Sequence, residues 1–421
     1  MVLLAALLTL ALPAAASGQQ QLHLESFDKV WTTIRDRHWD RTLAGPAWEA
    51  VRDELRPRME AAATAAEARG ILREMLGRLG HSHLGIIPAE AYGGMAPGGG
   101  SREGVTGMDA RVAGEAALVV SVERGSPAAG AGVRPGWEIR RIGGEELAPQ
   151  LAAVPAAVRG RTWEGAWAAS LVMNRLAGPP GTDVEVEFRA ADRSLTLSIP
   201  RTRPRGAPFR FGFLPPMYVW TETRRLPGDI GYFAFNAFLD PENVMRAAGE
   251  AVSGCMRCGG FVLDLRGNRG GIAAMAMGLA GWFVADPGRL GTLRTRQGAL
   301  HFVVTPRPEV YAGPLALLVD AATGSAAEIF AGGMQALGRA RVFGSVTAGS
   351  ALPAQIEKLP NGDGFLYAVA DYVSEGGRRL EGAGVRPDAE VALAREALLE
   401  GRDPVLEAAL QWIKTQTEAM R

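Results

Sequence analysis

Lysine is nearly missing from this sequence. Its 421 residues include only Lys29, Lys358 and Lys414, and arginine supplies the rest of the positive charge. Any chemistry that needs an amine base must find it at one of those three places. Cysteine is limited to Cys255 and Cys258, in the order Cys-Met-Arg-Cys. A zinc site would need two further ligands nearby, and a redox motif would need a thioredoxin-like setting. The pair therefore reads as a loop pair before a strand, open to oxidation in an oxidising compartment. Net charge is absent as well, because 45 basic residues balance 45 acidic ones. No basic excess invites nucleic acid or an acidic membrane. Neither G-x-G-x-x-G nor a Walker loop occurs, which removes the usual dinucleotide and nucleotide cradles.

What is present describes an ordinary globular chain, 47% hydrophobic and 21% charged, long enough for two or three domains. Residues 1–18 stand apart. Val2 to Leu12 is apolar, and Ala14-Ala15-Ala16-Ser17-Gly18 supplies small residues for cleavage. No positive charge precedes the run, but the pattern is that of a secretory leader, too short to span a bilayer. No cysteine follows it to carry a lipid. The expectation is an exported protein, periplasmic or extracellular, without stable membrane insertion.

Residues 19–90 read as helices, with Phe27, Val30, Trp31 and Ile34 on one face and Ile71, Leu72, Met75 and Leu76 on another. They end in Leu-Gly-His81-Ser82-His83-Leu-Gly, and a Ser-His step at an element boundary can be a base and its orienting partner. A Gly/Pro-rich linker covers 91–101. Residues 102–203 switch to strand periodicity around Gly125-Ser126-Pro127-Ala128-Ala129-Gly130 and the later Pro135-Gly136. This stretch resembles a PDZ domain. That resemblance makes Gly104, Val105, Thr106 and Gly107 the loop whose N–H groups hold a chain terminus, with the peptide adding as a strand. Trp137, where the family usually has aspartate, and a helical insertion over 151–178 depart from the pattern.

Residues 204–421 hold two strand–turn–helix stretches. The first, Gly260-Phe-Val-Leu-Asp264-Leu-Arg266-Gly-Asn-Arg-Gly270-Gly271, ends in a glycine turn suited to presenting backbone N–H groups to an oxyanion. Asp264 and Arg266 read as an ion pair that pins this loop. In the second, Leu315 to Val319 is a buried strand and Ser325 opens a helix. A serine there meets unpaired N–H groups and the positive end of a helix dipole. Ser325-x-x-Glu328 also matches a capping box, the commoner use of such a serine.

Taken together, DLRGNRGG, GSAAEIFAGGMQALGRA, NGDGFLYAVADY and LEGAGVRPD resemble the C-terminal processing (tail-specific) serine peptidases. The resemblance implies a multidomain α/β protein: an N-terminal helical region, a PDZ-like β domain and a crotonase/Clp-protease-like α/β core. It implies a Ser/Lys dyad, yet Ser350 occupies the lysine's place and no lysine lies between Ser325 and Lys358. The tricorn-core branch of that family offers a different base. Carried onto this chain, Ser325 is the nucleophile, His83 the general base, and Ser82 and Glu381 its orienting partners. Ala326 and either Gly270 or Gly271 form the oxyanion hole, and His81 is the alternative to His83. The implied protein is an endopeptidase on unstructured polypeptides or C-terminal tails, with no metal and no cofactor. Its oligomeric state is left open. The missing lysine equally suits a non-catalytic peptide- or ligand-binding protein on the same scaffold.

Overall fold

The computed structural model describes residues 12–92, 103–191 and 193–419, so most of the expected leader and of the 91–101 linker lies outside the described residues. Three helices, Leu12–Arg37, Pro46–Ala61 and Ala65–Gly77, come first. Each starts or holds for a local reason. Pro46 occupies the first turn of the second helix, where a missing N–H costs nothing. Thr64 and Glu67 form a capping box on the third. Trp31 and Trp48 each donate the indole N–H to the other's carbonyl at 3.1 Å, so both rings stay buried without an orphan donor.

The apolar faces of these helices close on a three-stranded antiparallel sheet, in the order Gly85–Ile87, Gly364–Ala368, Ala354–Lys358. Gly85 pairs with Leu366 and Ile87 with Gly364. Asp363, fully buried, takes Arg69 in a forked ion pair at 2.8 to 3.1 Å. The 81–84 segment is thereby carried, across more than 250 residues of sequence, to the C-terminal part of the chain.

The middle region is one sheet ordered Met108–Ala113, Ala116–Val122, Glu138–Ile142, Asp183–Ala190, Arg193–Pro200, packed with the helices Pro127–Gly130 and Glu164–Leu176. The core is built on a six-stranded sheet ordered Thr221–Leu226, Ile230–Phe235, Gly260–Asp264, Leu315–Val319, Arg341–Gly344, Ala389–Glu390. The first pair is antiparallel and the rest are parallel. Both faces of this sheet are covered, which explains its unbroken apolar strands. Phe233, Phe235, Leu263 and Leu317 face the helices Pro241–Ser253, Ala274–Ala280 and Ala326–Ala336. Tyr232, Val262, Ala316 and Leu318 face the last helix, Pro404–Ala419. Phe330 is fully buried in the first of these layers, where truncation to alanine costs about 3–5 kcal/mol. The helix after the glycine turn is short, Ala274–Ala280, and starts only once the loop held against Phe238 by Gly271 has ended. Cys255 and Cys258 are disulfide-bonded in the turn after Ser253.

Candidate active site

Ser325 follows the buried strand Leu315–Val319 by a five-residue turn and precedes the eleven-residue helix Ala326–Ala336. Its backbone is at φ 55°, ψ −123°, a region disfavoured for any residue with a Cβ. Among the described residues only five other than glycine have positive φ, and His83, at 54°, is another. Strain of this kind persists only where the surroundings over-determine it.

Glu328 supplies much of that determination at Ser325. Its carboxylate, fully buried, accepts the N–H of Ser325 at 3.0 Å, of Gly349 at 2.7 Å and of Ser350 at 2.9 Å, and it takes the Thr347 hydroxyl in a short hydrogen bond. Burial pushes Glu328 up to about 7, against the pull of those four donors toward the ionised form. The Ser325 N–H also reaches the Ser350 carbonyl at 2.9 Å. The sequence shows Glu328 only as half of a capping box. Its partners 19 to 22 residues away lie in a stretch without periodicity, and no local signal reveals them.

A second chain of hydrogen bonds ends at His83. Glu381 accepts the Ser82 N–H at 2.7 Å, the Ser82 hydroxyl at 2.8 Å and the Ala351 N–H at 3.1 Å. Ser82 Oγ lies 2.9 Å from His83 Nδ1. Since the Ser82 proton goes to Glu381, Oγ accepts from Nδ1–H, and Nε2 is left unprotonated. Desolvation pushes the His83 imidazole down to about 4 and raises Glu381 above the usual carboxylate range. The two chains meet at Ser350, whose Oγ is 3.4 Å from His83 Nδ1 and whose carbonyl holds Ser325.

His81 goes elsewhere. Its ring stacks on His38 with centroids 5.4 Å apart, beside Trp39. Burial lowers its pKa too, but no hydrogen bond joins it to Ser82 or Glu381.

The glycine turn lies against the start of the helix that follows Ser325. A Cβ on Gly270 would come within 2.5 Å of the Ala326 nitrogen and 2.7 Å of Ser325 Cβ, so only glycine fits. The Gly270 N–H is committed to Asn268 Oδ1 at 2.9 Å, and its carbonyl accepts the Phe238 N–H at 2.9 Å. Asp264 and Arg266 pair, and Arg266 continues to Asp403 at 2.8 Å. Arg111, from the middle region, reaches Asp320 in the turn before Ser325 at 2.7 Å. Of the loop 104–107, the Gly104 N–H goes to the Gly178 carbonyl at 2.7 Å and the Val105 N–H to that of Thr202 at 2.8 Å.

Known proteins resemble this chain along most of its length. Residues 229–391 match the model of peptidase family S41, and residues 20–77 match the tricorn protease C1 domain. Carboxyl-terminal-processing peptidase 2, chloroplastic, of Arabidopsis thaliana is 26% identical over 86% of this chain and 67% of its own length. The carboxyl-terminal-processing protease of Synechocystis is 25% identical over 89% and 81%. Putative tricorn protease homolog 2 of Streptomyces coelicolor is 27% identical over 92% of this chain, which spans only 32% of that relative. Among solved structures, a photosystem II D1 C-terminal processing protease superposes with TM-score 0.60 at 23% identity, over 93% of this chain and 96% of that one. Mature CPAF superposes at 0.64 and 12% identity, over 94% and 97%. At such identities the structural likeness is one of fold. Among the described residues no helix is long and apolar enough to cross a membrane.

Proposed function

We propose, from the likeness of residues 229–391 to the serine peptidases of family S41 and of the whole chain to carboxyl-terminal-processing proteases, an exported endopeptidase that cuts unstructured polypeptides or C-terminal tails with Ser325 as nucleophile. The observation that carries this reading is the hydrogen-bonded series Glu381–Ser82–His83, which ends beside the residue that holds the Ser325 N–H. His83 Nε2 takes the Ser325 proton as Oγ attacks the scissile carbonyl, then returns it to the leaving amine. The imidazolium that forms is stabilised through its Nδ1–H to Ser82 Oγ and through the Ser82 hydroxyl to Glu381, and the proton stays on the ring. The oxyanion is held by the N–H groups of Ala326, at the positive end of its helix, and of Gly271. Gly271 is preferred to Gly270 because the Gly270 N–H is already engaged. The absent lysine is then no defect, since a desolvated neutral histidine supplies the base.

In this reading residues 102–203 act as a PDZ-type module. With Gly104 and Val105 engaged in backbone pairing, Thr106 and Gly107 are the residues of that loop whose N–H groups meet a terminal carboxylate. The leader over 1–18 accounts for export.

The test is cleavage of an unfolded model protein by the mature chain. Wild type should cut, Ser325→Ala and His83→Ala should lose activity by about a thousandfold or more, and Ser350→Ala should retain most of it. A wild type that cuts nothing and does not react with a serine-directed phosphonate overturns the proposal in favour of a peptide-binding protein on this scaffold.

A further inference from the structure

Between Asp192 and Glu222 the chain has five arginines, Arg193, Arg201, Arg203, Arg205 and Arg210, and no acidic residue. In a protein whose charges cancel, this is a local excess. The segment folds in part into a two-stranded hairpin, Ala207–Phe209 with Met217–Val219. Phe209 and Leu214 pack on the core, but Phe211, Phe213 and Met217 stay 48%, 50% and 37% exposed. Soluble surfaces seldom leave large apolar side chains together in this way without use.

The four arginines after the strand Arg193–Pro200 divide into two groups. Arg201 is held by the Leu176 and Asp183 carbonyls, and Arg205 by Glu222 and the face of Trp220. Arg203 and Arg210 are exposed, with no acidic partner among the described residues. The hairpin offers both apolar contact and unneutralised positive charge.

Its anchorage says where this matters. On one side Thr202 pairs with Val105 of the 104–107 loop, by hydrogen bonds of 2.8 and 2.9 Å. On the other, Asn236 ties down the second strand and the residue after it, accepting the Trp220 N–H at 2.9 Å and donating to the Tyr218 carbonyl at 2.8 Å. Two residues further on, Phe238 bonds to Gly270. The hairpin therefore springs from between the loop assigned to a chain terminus and the loop assigned to the oxyanion. Both loops that a bound polypeptide would engage are thus bonded to, or next to, the flanks of the hairpin.

We propose that this hairpin is a docking surface for the substrate chain, which selects apolar segments that carry acidic residues. The segment packs on Phe211, Phe213 and Met217 and pairs with Arg203 and Arg210. This rests on the peptidase reading and adds a substrate class to it. An anionic bilayer has the same chemistry, but a bilayer gives no reason for footing on both substrate loops.

Binding, not cleavage, tests it, so that a failure of the catalytic assignment leaves the result readable. Two labelled unstructured peptides of equal length and apolar content, one acidic and one with lysine at the acidic positions, are titrated by fluorescence anisotropy into the full chain carrying Ser325→Ala. The acidic peptide should bind about tenfold tighter. Phe211→Ser with Phe213→Ser should weaken it about tenfold, and Arg203→Glu with Arg210→Glu should reverse the preference. Equal affinity for both peptides, or no change in either double variant, overturns the proposal. So does loss of sedimentation with anionic phospholipid vesicles while peptide affinity is unchanged, which would assign the hairpin to a membrane. All four positions are exposed, and if the phenylalanine pair lowers the melting temperature, the arginine pair decides alone.

Discussion

Two helices of this protein begin with nearly the same residues. In the middle region Gly125-Ser126-Pro127-Ala128-Ala129 opens a helix of four residues, and in the core Gly324-Ser325-Ala326-Ala327-Glu328 opens one of eleven. Ser126 is an ordinary cap: φ is −73°, and its hydroxyl accepts the Ala129 N–H at 3.2 Å. Ser325 is held at φ 55°, and the Glu328 N–H goes to its carbonyl at 2.8 Å. Its own N–H is gripped from two directions, by Ser350 and by Glu328. The Ser126 N–H has a single local partner, the Glu123 carbonyl at 3.1 Å. The difference is in the third residue after each serine. Alanine leaves the first serine to cap its own helix. Glutamate ties the second to a distant loop and keeps its backbone in a strained conformation, with the hydroxyl available for other work.

Glu328→Gln should break that distinction. A carboxylate can accept four hydrogen bonds here; an amide has one acceptor oxygen, and its NH2 would face N–H donors. Leaving those donors unsatisfied should cost about 2–3 kcal/mol, read from urea unfolding, and the slackened Ser325 should lose roughly a hundredfold in kcat/KM. An activity loss without any loss of stability would show that Glu328 acts on the reaction and does not hold the loop.

Acid should sharpen the contrast. With its pKa depressed to about 4, His83 is neutral above that value and charged below it. Below about 4 kcat/KM should fall about tenfold per unit as His83 is protonated, beneath a separate fall near 7 where Glu328 takes up a proton and loosens its hold on the four donors. The stability sign follows the same shift. The unfolded histidine, near 6.5, binds its proton first, so folding loses stability as pH falls from about 6.5 to 4. A Glu328→Gln enzyme, which lacks that carboxyl titration, whose kcat/KM still halves near 6.5 would mean that His83 titrates as a solvated histidine, or is not the base.

Much of this was legible in the sequence. The apolar strands and helices follow from their periods, and the α/β core follows from strands too apolar to face water on either side. The order Ser-His, glycine turn, serine, glutamate was visible as a set of residue types. Three things were not. His81 and His83 have the same flanking glycines, and only the packing of His38 and Trp39 separates them. Gly270 and Gly271 differ through the Asn268 side chain, which claims one N–H. Arg111 and Asp320, 209 residues apart, meet only because the middle region folds back on the core. Around 201–210 the composition likewise shows an arginine excess, but only the fold shows that Arg203 and Arg210 are left exposed.

The smallest effect belongs to the other serine. Ser126→Ala removes one side-chain acceptor from a short helix whose first turn also has Pro127 to fix its backbone. Loss of a cap of this kind costs about 1 kcal/mol, and the Ala129 N–H left behind is part-buried. Urea unfolding of Ser126→Ala should show that shift while cleavage of an unfolded protein stays within about twofold of wild type. The reason to measure so small a change is that Ser126 also fills the space beside Gly107, where a Cβ would lie 2.5 Å from its hydroxyl. If Ser126→Ala instead raises KM for substrates with a free C-terminus and leaves short internal peptides untouched, the cap supports the 104–107 loop in holding chain ends. The two helix starts would then both serve the substrate, one at the cut and one at the terminus.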